Sequence, residues 1–471
     1  MWKNLLMIAR LLAVSFLIFS TAVAHATDFS GVERAIQTQF PKAHVGVLIQ
    51  RLDENEPIFA RHANELFYPA SVTKLFTSLA AWERFGPAWA FVTQIETTGL
   101  DIEQGTADRV ILRLSGDPSF TGNQLNILIR ALAKQGIKSI KQDFILETSS
   151  MEGPAVSNFM VEDLPWYFAA PGGALVLDKN RWGAYIEGEQ LGSPAFLSPS
   201  SPASVVPAFQ TRVELAPTDI TETICPLEAQ VDEQNTLTLR GCWPAERNGA
   251  LLRFAYTNPE AHFKTQVLSL LKKHNITLKG SVVQSSVSAI ETNLIMALRG
   301  EPLTHLLEDV IQMSDNVVAD NLFRQYGGQH FSAPGSLARG KVAMGEYIAE
   351  NLMDDSITLF DGSGSSRYNL FTPQLIHRLL SRISTHEGLV ALFPQMGVSE
   401  KMKSRPLPSG WTMRAKTGSA TSISALAGFL SPPDSDVTYS VVIVINQAGQ
   451  ALEKMKPRED KVLHAIIEAL A

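Results

Sequence analysis

Phe67-Tyr68-Pro69-Ala70-Ser71-Val72-Thr73-Lys74 is the stretch on which this chain turns. A proline just ahead of a run of helical composition, residues 71–84, is a helix-entry signal. It predicts Ser71 at a helix N-terminus, with Lys74 one turn on and on the same face. A serine hydroxyl is a weak nucleophile until a neighbouring base takes its proton, and an amine three residues away can be that base. Ser-x-x-Lys alone is a cheap pattern, expected on the order of once by chance in a chain this long. A second copy does occur, Ser269 with Lys272, in the amphipathic run 264–273, and reads as a surface coincidence.

Outward from Ser71 two further motifs follow in order, Ser314-Asp315-Asn316 and Lys416-Thr417-Gly418, and each occurs once. The trio supplies acyl transfer without a histidine: a nucleophile with its amine, a hydroxyl with an amide, and a cationic strand edge. Lys74 can accept a proton only if its pKa falls, which burial and a neighbouring cation such as Lys416 would both cause. Ser314 would then relay the proton to the leaving amine, and Asn316 would bind the amide of the acyl side. Backbone N–H groups of Ser71 and Ser419 would form the oxyanion hole. Lys416 with Thr417, Gly418 and Ser419 would hold a substrate carboxylate through charge-assisted hydrogen bonds.

The N-terminus reads as an export signal over residues 1–26. Lys3 and Arg10 flank an acid-free apolar run, and Ala24-His25-Ala26 gives the small-x-small cleavage pattern. No second run of the roughly 18 apolar residues that span a bilayer follows, so no permanent membrane anchor is expected after cleavage. The signal carries two cations and no carboxylate, so its removal moves the formal net charge from -7 to -9. That balance argues against nucleic acid, whose binding rests on clustered Lys and Arg. Cys225 and Cys242 are the two cysteines, and in an oxidising compartment they would close one local disulfide loop.

Length favours two or three folding units. Residues 44–50 and 58–61 read as a hairpin, and 411–416, 424–430 and 438–446 as strands. Helical patterns cover 124–135, 263–273, 303–326 and 461–470. The N-terminal hairpin, the C-terminal strands and the last helix can complete one antiparallel sheet, with the middle of the chain as an insertion. A Ser/Pro-rich segment, 193–207, reads as a linker or boundary.

The flanks carry a family resemblance. Ala70-Ser71-Val72-Thr73-Lys74, Met313-Ser314-Asp315-Asn316 and Arg414-Ala415-Lys416-Thr417-Gly418 resemble the class C low-molecular-mass penicillin-binding proteins, D-alanyl-D-alanine carboxypeptidases and endopeptidases. Asp361-Gly362-Ser363-Gly364-Ser365-Ser366-Arg367 looks like that family's Asp-Gly-Ser-Gly-Leu-Ser-Arg signature, and Ser115-Gly116-Asp117-Pro118 matches its Gly-Asp-Pro turn. Ser365 departs from the usual Leu, and Ser419-Ala420 from the commoner Thr-Leu.

The resemblance implies an α+β fold: a transpeptidase-like domain, an antiparallel sheet flanked by helices, with a large, mainly β-rich insertion of two domains. The expected layout is a signal at 1–26, the peptidase domain at 27–87 and 254–471, inserted domain II at 88–190 and a nested domain III at 191–253. It also implies an acyl-enzyme on Ser71, peptidoglycan stem peptides and cross-links as substrates, β-lactams as covalent inhibitors, a periplasmic location, and no cofactor or metal. In the family, an acid from the insertion and the signature Arg can grip the amino acid end of a diaminopimelate side chain. Arg367 matches the Arg, and Asp163 in Glu162-Asp163-Leu164 resembles the acid. Two rival readings share the motifs: a serine β-lactamase, and a non-catalytic wall-binding or β-lactam-sensing protein.

Overall fold

The computed structural model describes residues 28–155, 159–200, 206–286, 291–354, 357–449 and 452–471. The signal read at 1–26 lies outside the described residues. Among the described residues no helix is long and apolar enough to cross a membrane.

Both ends of the chain build one antiparallel sheet. Its strands are β1 (His44–Arg51), β2 (Phe59–Arg61), β3 (Thr412–Ala420), β4 (Ile423–Ser431) and β5 (Tyr439–Asn446), in the spatial order β3-β4-β5-β1-β2. Val47 of β1 stands opposite Ile443 of β5, so the N-terminal hairpin is stitched to the C-terminal strands. Successive side chains on a strand point to opposite faces, and both faces here are covered. Val45, Val47 and Ile49 meet α1 (Ser30–Gln39) and α6 (Leu452–Leu470) through Val32, Ile36, Leu463 and Ile466. Leu48, Ala425 and Val442 face the other helices: α2 (Lys74–Phe85), α3 (Leu303–Ile311), α4 (Asn316–Phe331) and α5 (Pro373–Ile383). Two-sided burial explains why β4 and β5 read as unbroken apolar runs rather than alternating ones.

The insertion is larger at its C-terminal side than its sequence pattern suggested. Strands Val92–Thr98, Arg109–Arg113, Phe144–Glu147, Val282–Ser285 and Asn293–Arg299 share one sheet. Helices Gly122–Lys134 and Pro259–Lys273 cover it. The peptidase domain therefore resumes after Arg299, not at residue 254. Phe263, Val267, Leu271 and Val282 are buried against Ile95, Val110 and Phe144 of the insertion, and that shared core holds 259–299 there.

The nested unit is a six-stranded sheet from Arg181–Glu187 to Ala250–Ala255, so it begins near 181 rather than 191 and ends near 255. The supposed linker at 193–207 contains a strand, Pro194–Pro199, paired on both sides. Its two prolines stand at the strand's ends, where a missing N–H costs the ladder least. Cys225 and Cys242 are bonded within this unit, with Cα atoms 5.4 Å apart.

Candidate active site

Ser71 lies in a turn of 3-10 helix, Ala70–Thr73, that runs directly into α2. The predicted helix start is thus displaced by one turn, because Ala70 adopts a left-handed φ of 47° on entry. Lys74 opens α2 with its side chain fully buried. Its Nζ donates to Ser71 Oγ at 3.0 Å, to Asn316 Oδ1 at 2.7 Å, and to the Ser363 carbonyl. Three of the predicted elements therefore converge on one amine.

The second motif sits at the start of α4. Ser314 takes a left-handed φ of 61°, and Asp315 caps the helix by accepting from the N–H groups of Val317 and Val318. A side-chain acceptor at that position satisfies helix donors that have no carbonyl partner. Asp315 is also held by Arg181, whose two terminal nitrogens donate to it at 2.6 and 3.0 Å, and by Lys179 at 3.2 Å. Burial alone would raise its pKa, but Arg181 and Lys179 hold it down to about 2. Asn316, expected to hook a substrate amide, is already engaged at both ends. Its Oδ1 faces Lys74 and its Nδ2 donates to the Phe168 carbonyl at 2.7 Å, which leaves one amide hydrogen for a ligand.

The third motif lies on β3, the edge strand. Lys416 is buried, and its Nζ donates to Ser314 Oγ and to the Thr417 carbonyl, both at 3.0 Å. On the outer side of β3 the Met413 carbonyl accepts from Met396 and the Ala415 N–H donates to Pro394. The two-residue strand period then aims the N–H groups of Thr417 and Ser419 off the same edge, where no further strand among the described residues covers them. A Cβ at Gly418 would overlap the Pro69 carbonyl and press to 3.2 Å from the Ser71 nitrogen, so only glycine lets the strand lie against the nucleophile's turn.

Electrostatics links the two buried lysines. Lys74 falls to about 8 chiefly because it is buried. Asp320, Asp361 and Asp315 oppose that fall, and Arg181 assists it. Lys416 is itself pushed well below the usual lysine range, by burial first and then by Lys74, Lys401 and Lys456. The repulsion between the two buried amines is mutual, so the charge on either one disfavours the charge on the other.

The glycine-rich signature folds around its own acid. Buried Asp361 accepts from the N–H groups of Gly364 and Ser366 and from Asn369 Nδ2, which aims the Ser363 carbonyl at Lys74. Arg367, at the loop's end, is exposed. Asp163 is half-buried in the short turn Val161–Asp163, where its carboxylate accepts from the Met160 N–H at 3.3 Å. No hydrogen bond or ion pair joins Asp163 to Arg367 among the described residues, though each belongs to a segment that touches the site, through Phe168 and Ser363. Ser269 is exposed on Pro259–Lys273 in the insertion, so the second Ser-x-x-Lys is a coincidence. Sequence reasoning missed Arg181, Lys179 and the Phe168 carbonyl. They lie 130–148 residues from their partners, in stretches without a motif.

A serine hydrogen-bonded to a buried amine, a hydroxyl bonded to a second lysine, and an open edge strand, all on an antiparallel sheet backed by helices, define a serine acyl-transfer enzyme of the penicillin-binding kind. The family model described as D-Ala-D-Ala carboxypeptidase 3 (S13) matches residues 32–464. The chain is 28% identical over 433 residues to D-alanyl-D-alanine carboxypeptidase DacB of Haemophilus influenzae, covering 89% of this chain and 88% of that protein. It is 24% identical over 417 residues to a D-alanyl-D-alanine carboxypeptidase of Actinomadura sp. strain R39, covering 84% and 77%. The crystal structure of penicillin binding protein 4 from Haemophilus influenzae superposes with a TM-score of 0.83 at 26% identity, covering 93% of this chain and 99% of that one. The same protein complexed with a β-lactam gives a TM-score of 0.78. The chain belongs to the D-Ala-D-Ala carboxypeptidase 3 (S13) family, and it is a serine-type carboxypeptidase of the class C low-molecular-mass penicillin-binding proteins.

Proposed function

We propose that Ser71 is the nucleophile of a periplasmic enzyme that cleaves D-alanyl bonds in peptidoglycan stem peptides and cross-links, and that β-lactams acylate the same serine. The observation that carries this reading is Lys74 Nζ, fully buried, 3.0 Å from Ser71 Oγ. Ser71 Oγ adds to the scissile carbonyl carbon while its proton passes to neutral Lys74. The oxygen that becomes an anion is received by the N–H groups of Ser71 and Ser419, donors fixed before the reaction begins. Ser314, hydrogen-bonded to Lys416, then relays that proton: its hydroxyl proton passes to the departing amine and is replaced by the one Lys74 took up, the C–N bond breaks to leave an ester on Ser71, and Lys74 is neutral again. Water hydrolyses that ester and restores the serine hydroxyl.

Lys416 meets the carboxylate at the peptide's end. A buried amine that resists protonation in the empty site is restored to its charged form by an arriving carboxylate. Thr417 and Ser419 offer hydroxyls beside it. Arg367 with Asp163 would meet the free amino acid end of a diaminopimelate side chain, the fork facing its carboxylate and the acid its ammonium.

The test uses a fluorescent penicillin and cross-linked muropeptides. Ser71→Ala is expected to abolish labelling and product formation, and Ser269→Ala to leave both intact. Labelling that survives the first change, or is lost with the second, would sink the assignment.

A further inference from the structure

We propose that Arg181, supplied by the nested insertion, is a positioning residue for acylation: it braces Asp315 on one side of Asn316 and the Tyr167–Phe168 turn on the other. This rests on the Ser71 reading above. Arg181 begins the strand Arg181–Glu187, and it grips buried Asp315 with two nitrogens. The same guanidinium lies over the Tyr167 ring, 5.6 Å from its centre. Tyr167 precedes Phe168, whose carbonyl accepts from Asn316 Nδ2. Asn316 is thus held through both neighbours by one cation, and its Oδ1 receives Lys74.

The backbone that presents Arg181 is itself unusual. Asp178, Lys179 and Asn180 all have positive φ, at 50°, 56° and 53°. Side chains other than glycine reach that region at a cost, and three in a row persist only when their surroundings fix them. Here Asn180 is buried, donating to the carbonyls of Pro171 and Leu175, and the Gly122 N–H donates to Asp178. The result is a rigid bend that delivers Lys179 and Arg181 to Asp315, with Lys179 also bonded to Asp309 at 2.7 Å. Residues remote from the motifs therefore set the geometry of the second one.

A brace of this kind has an electrostatic consequence. Lys74 is faced by Asp315 and Asp320 from α4 and its cap, by Asp361 from the glycine-rich loop, by Arg181 from the insertion, and by Lys416 from β3. Removing the Arg181 charge leaves Asp315 compensated by Lys179 alone, so Lys74 holds its proton more tightly. The base is then less available at neutral pH, and the acid limb of the acylation profile moves to higher pH.

The experiment compares acylation rates by a chromogenic cephalosporin across pH for unmodified protein, Arg181→Met, Arg181→Lys and the double variant Arg181→Met/Asp315→Asn. Arg181→Met is expected to lose at least about tenfold in rate at pH 7 and to move the acid inflection upward by about half a unit or more. Arg181→Lys, which keeps the charge without the fork, should fall between the two with an unmoved inflection. The double variant should recover part of the rate, because a neutral amide in place of the Asp315 carboxylate no longer needs a cation. Should Arg181→Met fail to fold, the Arg181→Lys profile and the double variant decide. A rate within twofold of the unmodified protein overturns the brace, as does a uniform loss at every pH with no recovery in the double variant. Failure of the unmodified protein to label on Ser71 would instead overturn the reading on which the brace rests.

Discussion

Lys74 and Lys416 are two buried amines at one site, and the proposed reaction needs them in opposite protonation states. In the proposed mechanism Lys74 is neutral so that it can accept a proton from Ser71, whereas Lys416 is charged so that it can hold a carboxylate. Burial lowers Lys74 to about 8, so below that pH most molecules hold an unusable base. Acylation is therefore expected to rise with pH through an inflection near 8, falling about tenfold for each unit well below it. In the proposed mechanism the substrate's carboxylate recharges Lys416, and loss of that charge is expected to set the opposite, alkaline limb. A rate of Ser71 acylation that stays flat between roughly pH 6 and 9 would contradict this use of Lys74. A second prediction belongs to Arg367. Its exposed fork is free to meet a second carboxylate that a lysine-type peptide lacks, so diaminopimelate peptides should be cleaved faster than lysine analogues. Arg367→Ala should narrow that gap. Equal rates in the unmodified enzyme would show that the loop does not read this side chain.

At the scale of elements, the site is a contact between a turn and a strand edge. Gly418 on the strand and Gly364 on the glycine-rich loop both lie close against that turn: a Cβ on the first would overlap the Pro69 carbonyl, and one on the second the Ala70 carbonyl. Both oxygens are backbone, so neither can yield as a flexible side chain would. Gly418→Ala is expected to cost about 1–3 kcal/mol of stability and to slow acylation on the order of tenfold or more. Melting and labelling rates measured together check this; normal labelling would mean that the strand's approach does not set the oxyanion donors. The two glycines were legible because each sits inside a motif. The helical stretch at 303–326, which divides into α3 and α4, and strands β3 to β5 were legible too, from periodicity and apolar runs. What the sequence hid is how they meet. The left-handed residues Ala70 and Ser314, and the engagement of Asn316 at both ends, depend on tertiary partners that no local pattern announces.

For the molecule as a whole, the insertion was visible as a gap between motifs, but its return point was misplaced. Pro259–Lys273 looks like any amphipathic helix, and only its burial against Ile95, Val110 and Phe144 reveals which domain owns it. The insertion also reaches the site through Phe168, Lys179 and Arg181, which bond to Asn316 and Asp315, so it is part of the site's framework rather than an appendage. That raises the question of how far a disturbance in the nested unit should travel. Its disulfide links Cys225 to Cys242, on the strand Leu237–Pro244. In the six-stranded sheet this strand is separated from Arg181–Glu187 by Phe209–Ala216 and Pro194–Pro199. The intervening core of Trp182, Leu197, Val213, Leu215 and Phe254 does not need the bond to hold the strand that carries Arg181. Replacing both cysteines with serine should cost the nested unit about 3 kcal/mol, the value chain-entropy models give for a loop of this size. Proteolysis should then quicken in that unit, while acylation of Ser71 at about 25 °C stays within about twofold of the unmodified rate. A large loss of acylation in a variant whose peptidase domain still melts normally would mean that the cysteine loop supports the Arg181 brace after all.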